Sequence, residues 1–197
     1  MEKINITAII GSLRKDSFNR QLAGEAGKIL QELAKSKAAS GIKLNIDFEL
    51  LDYSDIPLFN QDIEHPAPEP VSRIRDIVKK ADGLWFFTPE YNHFFPGVLK
   101  NLIDWLSRPV SDTEPHVLGQ KAAAVSGITP GISATLMAQD HLITLLSFLN
   151  VRIMNLPRLF IPNAMQQTNP AGRLSLSTSR PFLEKQAESF VDFIRKV

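Results

Sequence analysis

Eight consecutive residues near the N-terminus, Ser12-Leu13-Arg14-Lys15-Asp16-Ser17-Phe18-Asn19, gather two hydroxyls, a carboxamide and a guanidinium directly after Gly11. An apolar run precedes them and a helical pattern follows, so the unpaired N–H groups of a helix's first turn join the side-chain donors. Ser12, Ser17 and Asn19 offer hydroxyl and amide donors and Arg14 a charge-assisted one, a set that converges on a single phosphate dianion. A Walker A loop would need a second glycine followed by Lys-Ser/Thr, and a dinucleotide fingerprint would need G-x-G-x-x-G; neither is present. The loop therefore suits one terminal phosphate better than a pyrophosphate or triphosphate, provided Asp16 faces solvent. The bland alternative, a helix N-cap at Ser17 beside a solvated Arg14, stands equally open on these residues alone.

A second cluster runs Thr88-Pro89-Glu90-Tyr91-Asn92-His93-Phe94-Phe95-Pro96-Gly97. Aromatic rings give flat apolar walls, while backbone N–H groups and the Asn92 amide give the directional hydrogen bonds that a heteroaromatic ring needs. Taken singly, Tyr91, Phe94 and Phe95 read equally well as caps on a core. Elsewhere the chemistry is sparse. The chain has no cysteine, which excludes disulfides, thiolate nucleophiles, Fe–S clusters and sulfur-rich zinc sites. Its four histidines, His65, His93, His116 and His141, show no metal-binding spacing, and Ser126 lacks the G-x-S-x-G setting of a hydrolase nucleophile. No metal and no catalytic side chain is expected, so any redox chemistry must come from a bound cofactor.

Composition narrows the partners. Twenty-two basic against 21 acidic residues leave a net charge of +1, which gives the surface no pull toward nucleic acid or anionic lipid. The N-terminus carries no signal-peptide pattern and no segment reaches the length of a membrane span, so a cytoplasmic address follows by elimination. A chain of 197 residues with 44% hydrophobic content fits one domain, residues 1–197, around one core.

The elements that must position the two clusters alternate along the chain. Apolar runs predict strands over residues 4–10, 43–51, 83–88, 121–127 and 151–154, the last resuming at 159–161. Between them, helical periodicity predicts helices over 18–35, 71–80, 96–108 and 132–149, and a polar loop over 163–180 precedes a terminal helix to 196. This is the pattern of an α/β fold, a doubly wound five-stranded parallel sheet of flavodoxin-like order 2-1-3-4-5 with helices on both faces. Ligands of such sheets bind outside the carboxyl ends of strands one and three, where both clusters fall. A proline-rich connection over 52–70 is long enough to have a task of its own. The helix over 132–149 is apolar around most of its circumference and should be covered on both sides. With Trp105 beside the apolar stripe of the preceding helix, it points to packing across a two-fold interface.

Gly-Ser-Leu-Arg-Lys-x-Ser-x-Asn, followed by Thr-Pro-Glu-Tyr-Asn and then Pro-Gly-x-Leu-Lys-Asn-x-Ile-Asp-Trp-Leu-Ser-Arg, resembles the NADPH-dependent FMN reductase family, with its bacterial quinone and chromate reductases and several azoreductases. The resemblance follows the whole chain in element order and is sharpest over residues 9–20 and 86–108. It implies that Ser12, Arg14, Ser17 and Asn19 hold the FMN phosphate, that Leu13 lies near the ribityl chain, and that Pro89, Glu90, Tyr91 and Asn92 line the isoalloxazine. A third contact is implied at Ser126 and Gly127, although Pro130 stands where a more glycine-like residue is usual. A second departure, His93-Phe94-Phe95, sets bulky residues where small or hydroxyl ones are usual, and would narrow the substrate side of the flavin.

The resemblance further implies two-electron, ping-pong transfer from NADPH or NADH through FMN N5 to quinone, azo, nitro or metal-oxyanion acceptors. It also implies a homodimer with the site at its interface, the 52–70 loop bordering the partner's flavin and further pairing into a tetramer left open. The alternative is an FMN-binding electron carrier or regulatory flavoprotein that works with a protein partner, a class that tends to be strongly acidic, unlike this nearly neutral chain.

Overall fold

The computed structural model describes residues 2–197, and its element order begins β1 (Glu2–Ile10), α1 (Phe18–Ala39), β2 (Leu44–Leu50), α2 (Glu69–Lys80), β3 (Gly83–Phe87) and α3 (Gly97–Leu106). It continues through β4 (Ala122–Ile128), α4 (Leu136–Phe148), β5 (Arg152–Ile153), β6 (Leu159–Ile161) and α5 (Arg180–Ile194). All strand pairs are parallel and the sheet order is β2-β1-β3-β4-β5. The predicted fifth strand is two short pieces. β5 pairs with Ala122 and Ala123 of β4, and β6 rejoins it from Ser126 to Ile128. Pro157 lies between them and has no N–H to give to the ladder.

Alternation along the buried strands divides the apolar residues between two cores. Trp85 and Phe87 of β3 face α1 and α5, beside Leu22, Leu30 and Phe190. Leu84 and Phe86 face α2, α3 and α4, beside Ile74, Leu102 and Leu142. Every residue of β3 is buried, as suits a strand at the sheet centre.

Two sequence expectations change here. Within one chain α4 is covered on one side only: Ala138, Leu142 and Leu146 are buried, while Leu136 and Met137 are exposed and Phe148 is 84% exposed. Trp105 is not at a free surface. It is fully buried, donates its Nε1–H to the Pro57 carbonyl at 2.9 Å, and meets Phe59 edge-on. No helix among the described residues is long and apolar enough to cross a membrane.

Candidate functional site: a phosphate-binding loop at the strand ends

The carboxyl ends of β1, β3 and β4 meet around a cavity of about 270 Å³. Its first wall is the loop between β1 and α1. Gly11 lets that loop lie against β3, because a Cβ there would stand 3.1 Å from Pro89 and 3.2 Å from Thr88. Ser12, Arg14 and Ser17 line the cavity beyond it. Ser17 occupies the N-cap position of α1 in extended conformation yet makes no side-chain cap hydrogen bond. Ser17 is thus the N-cap by position, as the alternative reading has it, but its hydroxyl makes no cap bond and the residue lines the cavity. Asp16 is exposed and pairs at 3.7 Å with Arg173, away from the cavity lining.

Asn19 is 2% exposed, and its amide is committed at both atoms: Nδ2–H donates to the Ile128 carbonyl at 2.9 Å, and Oδ1 accepts the Ile128 N–H at 3.1 Å. It clasps the end of β4 to the start of α1. Asn19 therefore braces the loop and also lines the cavity, with the second N–H of its Nδ2 left over from these two bonds.

The second wall comes from residues after β3. Pro89, Glu90 and Tyr91 line the cavity. Asn92 and His93 have φ of 53° and 60° between the bridged pair Tyr91 and Phe94, a tight two-residue hairpin of the kind that asparagine tolerates. Asn92 stands at the tip of this turn and does not reach the cavity lining. The Glu90 carboxylate turns away and accepts the Ala138 N–H in the first turn of α4 at 3.2 Å, so the motif's acid fixes a helix while its backbone faces the cavity.

None of His93, Phe94 and Phe95 lines this cavity. Phe95 belongs to the core, Phe94 stacks between Phe95 and His141, and His93 is 81% exposed, 3.7 Å from Glu90.

The third wall was misplaced by two residues. Ser126 points into the opposite core, where its hydroxyl accepts from Trp85 Nε1–H at 2.8 Å and donates to Gln186 Oε1 at 2.6 Å. Gly127 is packed by the protein itself, for a Cβ there would overlap Thr135 and come within 2.5 Å of the Thr88 carbonyl. The cavity is lined instead by Ile128, Thr129 and Pro130. β4 runs to Ile128, so the loop that follows it starts at Thr129. Phe18 is a further lining residue that spacing did not reveal.

Beside this cavity lies an apolar one of about 500 Å³, lined by Leu13, Tyr53, Ile56, Leu58, Val98 and Asn101. Leu13 therefore belongs to the neighbouring space. The 52–64 loop that forms its far side is stitched to one face of α3. Asn101 holds Phe59 N–H and the Pro57 carbonyl, Trp105 holds the same carbonyl, and Arg108 donates to Glu64 at 2.8 Å. The Asn, Trp and Arg of the third motif thus recur at one-turn spacing for an architectural reason. Tyr53 is buried and donates its hydroxyl to the Ile10 carbonyl; burial pushes its pKa up and keeps it a donor. Among the described residues no cluster of His, Asp and Glu is arranged to hold a metal ion.

Known proteins resemble this chain in sequence and in fold. Residues 4–166 match the NADPH-dependent FMN reductase family. The chain is 33% identical over 192 residues to a 2-hydroxy-1,4-benzoquinone reductase of Burkholderia sp, covering 98% of this chain and 97% of that protein. It is 34% identical over 197 residues to an NAD(P)H-dependent FMN reductase of Pseudomonas aeruginosa, covering 100% and 98%. Among solved structures, the flavoenzyme NAD(P)H:(acceptor) oxidoreductase FerB from Paracoccus denitrificans superposes with a TM-score of 0.80 at 33% identity, covering 98% of each chain. An FMN-dependent NADH-azoreductase from Bacillus anthracis shares the fold, with a TM-score of 0.62 at 14% identity over 95% of this chain and 99% of that one. By its sequence over most of its length, and by its fold, this chain belongs to the NADPH-dependent FMN reductase family and is an oxidoreductase.

Proposed function

We propose that residues 1–197 form one FMN-binding domain that passes two electrons from NADPH or NADH to a small acceptor in the cytoplasm, with quinones foremost and azo, nitro or metal-oxyanion compounds in the same chemical reach. The observation that carries this reading is the cavity at the carboxyl ends of β1, β3 and β4, where Ser12, Arg14 and Ser17 surround the uncapped start of α1. That donor set fits a phosphomonoester at the end of a flexible chain. When bound, FMN supplies the redox chemistry, taking hydride at N5 from reduced nicotinamide and handing two electrons to the acceptor.

The protein's share is orientation. Ser12, Arg14 and Ser17 would hold the phosphate, and the backbone from Pro89 to Asn92 would border the ring edge. The apolar cavity beside Leu13 and Val98 would receive a flat acceptor, in keeping with the quinones reduced by relatives. Assembly as a homodimer would cover the exposed side of α4.

The experiment is direct. Purified protein should take up FMN stoichiometrically and oxidise NAD(P)H with a benzoquinone without any protein partner, giving parallel double-reciprocal lines. Arg14→Ala should weaken FMN by roughly 1 to 3 kcal/mol, about tenfold to a hundredfold or slightly more. A protein that remains colourless with excess FMN would refute the proposal.

A further inference from the structure

A third cavity, of about 490 Å³, opens on the outer side of the phosphate loop. Arg14 and Phe18 line both this cavity and the one at the strand ends, so the two adjoin across these side chains. Facing Arg14 across the outer cavity is Arg173, carried on a built turn. Asn169 N–H donates to the Arg173 carbonyl at 2.8 Å, while Asn169 Oδ1 accepts the N–H groups of Ala171 and Arg173. Gly172 supplies the positive φ of 72° that this turn requires. Gln21 of α1 then accepts the Leu174 N–H at 2.9 Å, fastening the turn to the helix behind the phosphate loop. Phe18 and Met165 add apolar walls.

We infer that this outer cavity binds the adenosine end of the reduced dinucleotide, with Arg173 reading the 2′-phosphate that separates NADPH from NADH. The inference rests on the flavin reading of the neighbouring cavity and adds the donor's specificity to it. A purine needs flat or soft apolar walls, which Phe18 and Met165 give, and a phosphomonoester needs a guanidinium group, which Arg173 gives. The position follows from the chemistry of the donor: a dinucleotide whose nicotinamide meets the flavin must leave its other end within its own length, and the outer cavity is contiguous. Asp16 is the one contrary group. It sits 3.7 Å from Arg173, but both side chains are largely exposed, and such a pair is weak enough for a phosphate dianion to displace. Asp16 thus competes with the incoming phosphate for Arg173.

The test separates the two readings. FMN-loaded protein is titrated calorimetrically with adenosine 2′,5′-bisphosphate and with adenosine 5′-monophosphate, and the titration is repeated without FMN. The bisphosphate should bind about tenfold or more tightly than the monophosphate, Arg173→Ala and Arg173→Gln should abolish that difference, and Asp16→Asn should enlarge it. FMN content should be unchanged in all three variants, and the KM for NADPH should rise in the Arg173 variants while that for NADH does not. Equal binding of the two nucleotides, or a preference that survives loss of Arg173, would overturn the inference. So would loss of FMN on changing Arg173, which would assign that guanidinium to the flavin phosphate. A protein that never takes up FMN would defeat the flavin reading, yet the nucleotide titration would still decide the outer cavity.

Discussion

Asn19 and Ser126 both carry side chains of the kind that bind phosphates, and both use them on the protein, Ser126 wholly and Asn19 in part. Asn19 holds the two backbone groups of Ile128, and Ser126 sits between Trp85 and Gln186. Asn19→Ala should cost about 1 to 3 kcal/mol of stability, because it leaves the Ile128 N–H and carbonyl unpaired where little water reaches. Thermal melts of the protein without FMN would read that loss. Ser126→Ala strands the Trp85 indole N–H and should destabilise by a similar amount, roughly 1 to 3 kcal/mol, while FMN affinity stays within about twofold. A Ser126 variant that melts normally but loses FMN would return that hydroxyl to the cofactor. Gly127→Ala should be worse than either, since the overlap involves the backbone carbonyl of Thr88, which trimming Thr135 cannot relieve.

At the scale of elements, the most informative joint is the one between α3 and the 52–64 loop. Glu64 is buried, and its hydrogen bond from Arg108 holds its carboxyl below the ordinary value of 4.5. A carboxylate with a lower pKa in the folded state stabilises the fold fully above its unfolded value, and that contribution disappears as pH falls through the lowered one. Melting temperature should therefore fall more steeply below about pH 4.5 in the parent than in Glu64→Gln. Equal slopes would mean that the pair contributes nothing to this joint. The same joint shows where sequence is mute. Strands β1, β3 and β4 were legible because they are buried on both faces and read as unbroken apolar runs. The two loop clusters were legible because their residue types are unusual together. Trp105 was misread because an apolar residue at the edge of a helical stripe looks the same whether a partner chain or the chain's own loop covers it. Ser126 was misread because a serine near a strand's end looks the same in sequence whether its hydroxyl faces a ligand or, as here, Trp85 and Gln186.

For the molecule as a whole, the uncovered side of α4 is an apolar surface open to a partner. Leu136, Met137 and Phe148 lie exposed on it, more apolar area than a helix of this length ordinarily leaves in water. If a second copy covers it, Phe148→Glu should shift the protein toward monomer in light scattering at micromolar concentration, and an unshifted mass would move the interface elsewhere. The clasp made by Asn19 has another bearing at this scale, on the order in which the protein is made. Its partner, Ile128, lies 109 positions further along the chain. A nascent chain emerging at about 5 to 20 residues per second exposes its complete anion loop seconds before the strand that braces it. Cofactor capture during synthesis must therefore wait for the second half of the chain, and a truncated N-terminal fragment would carry the loop's letters without its grip.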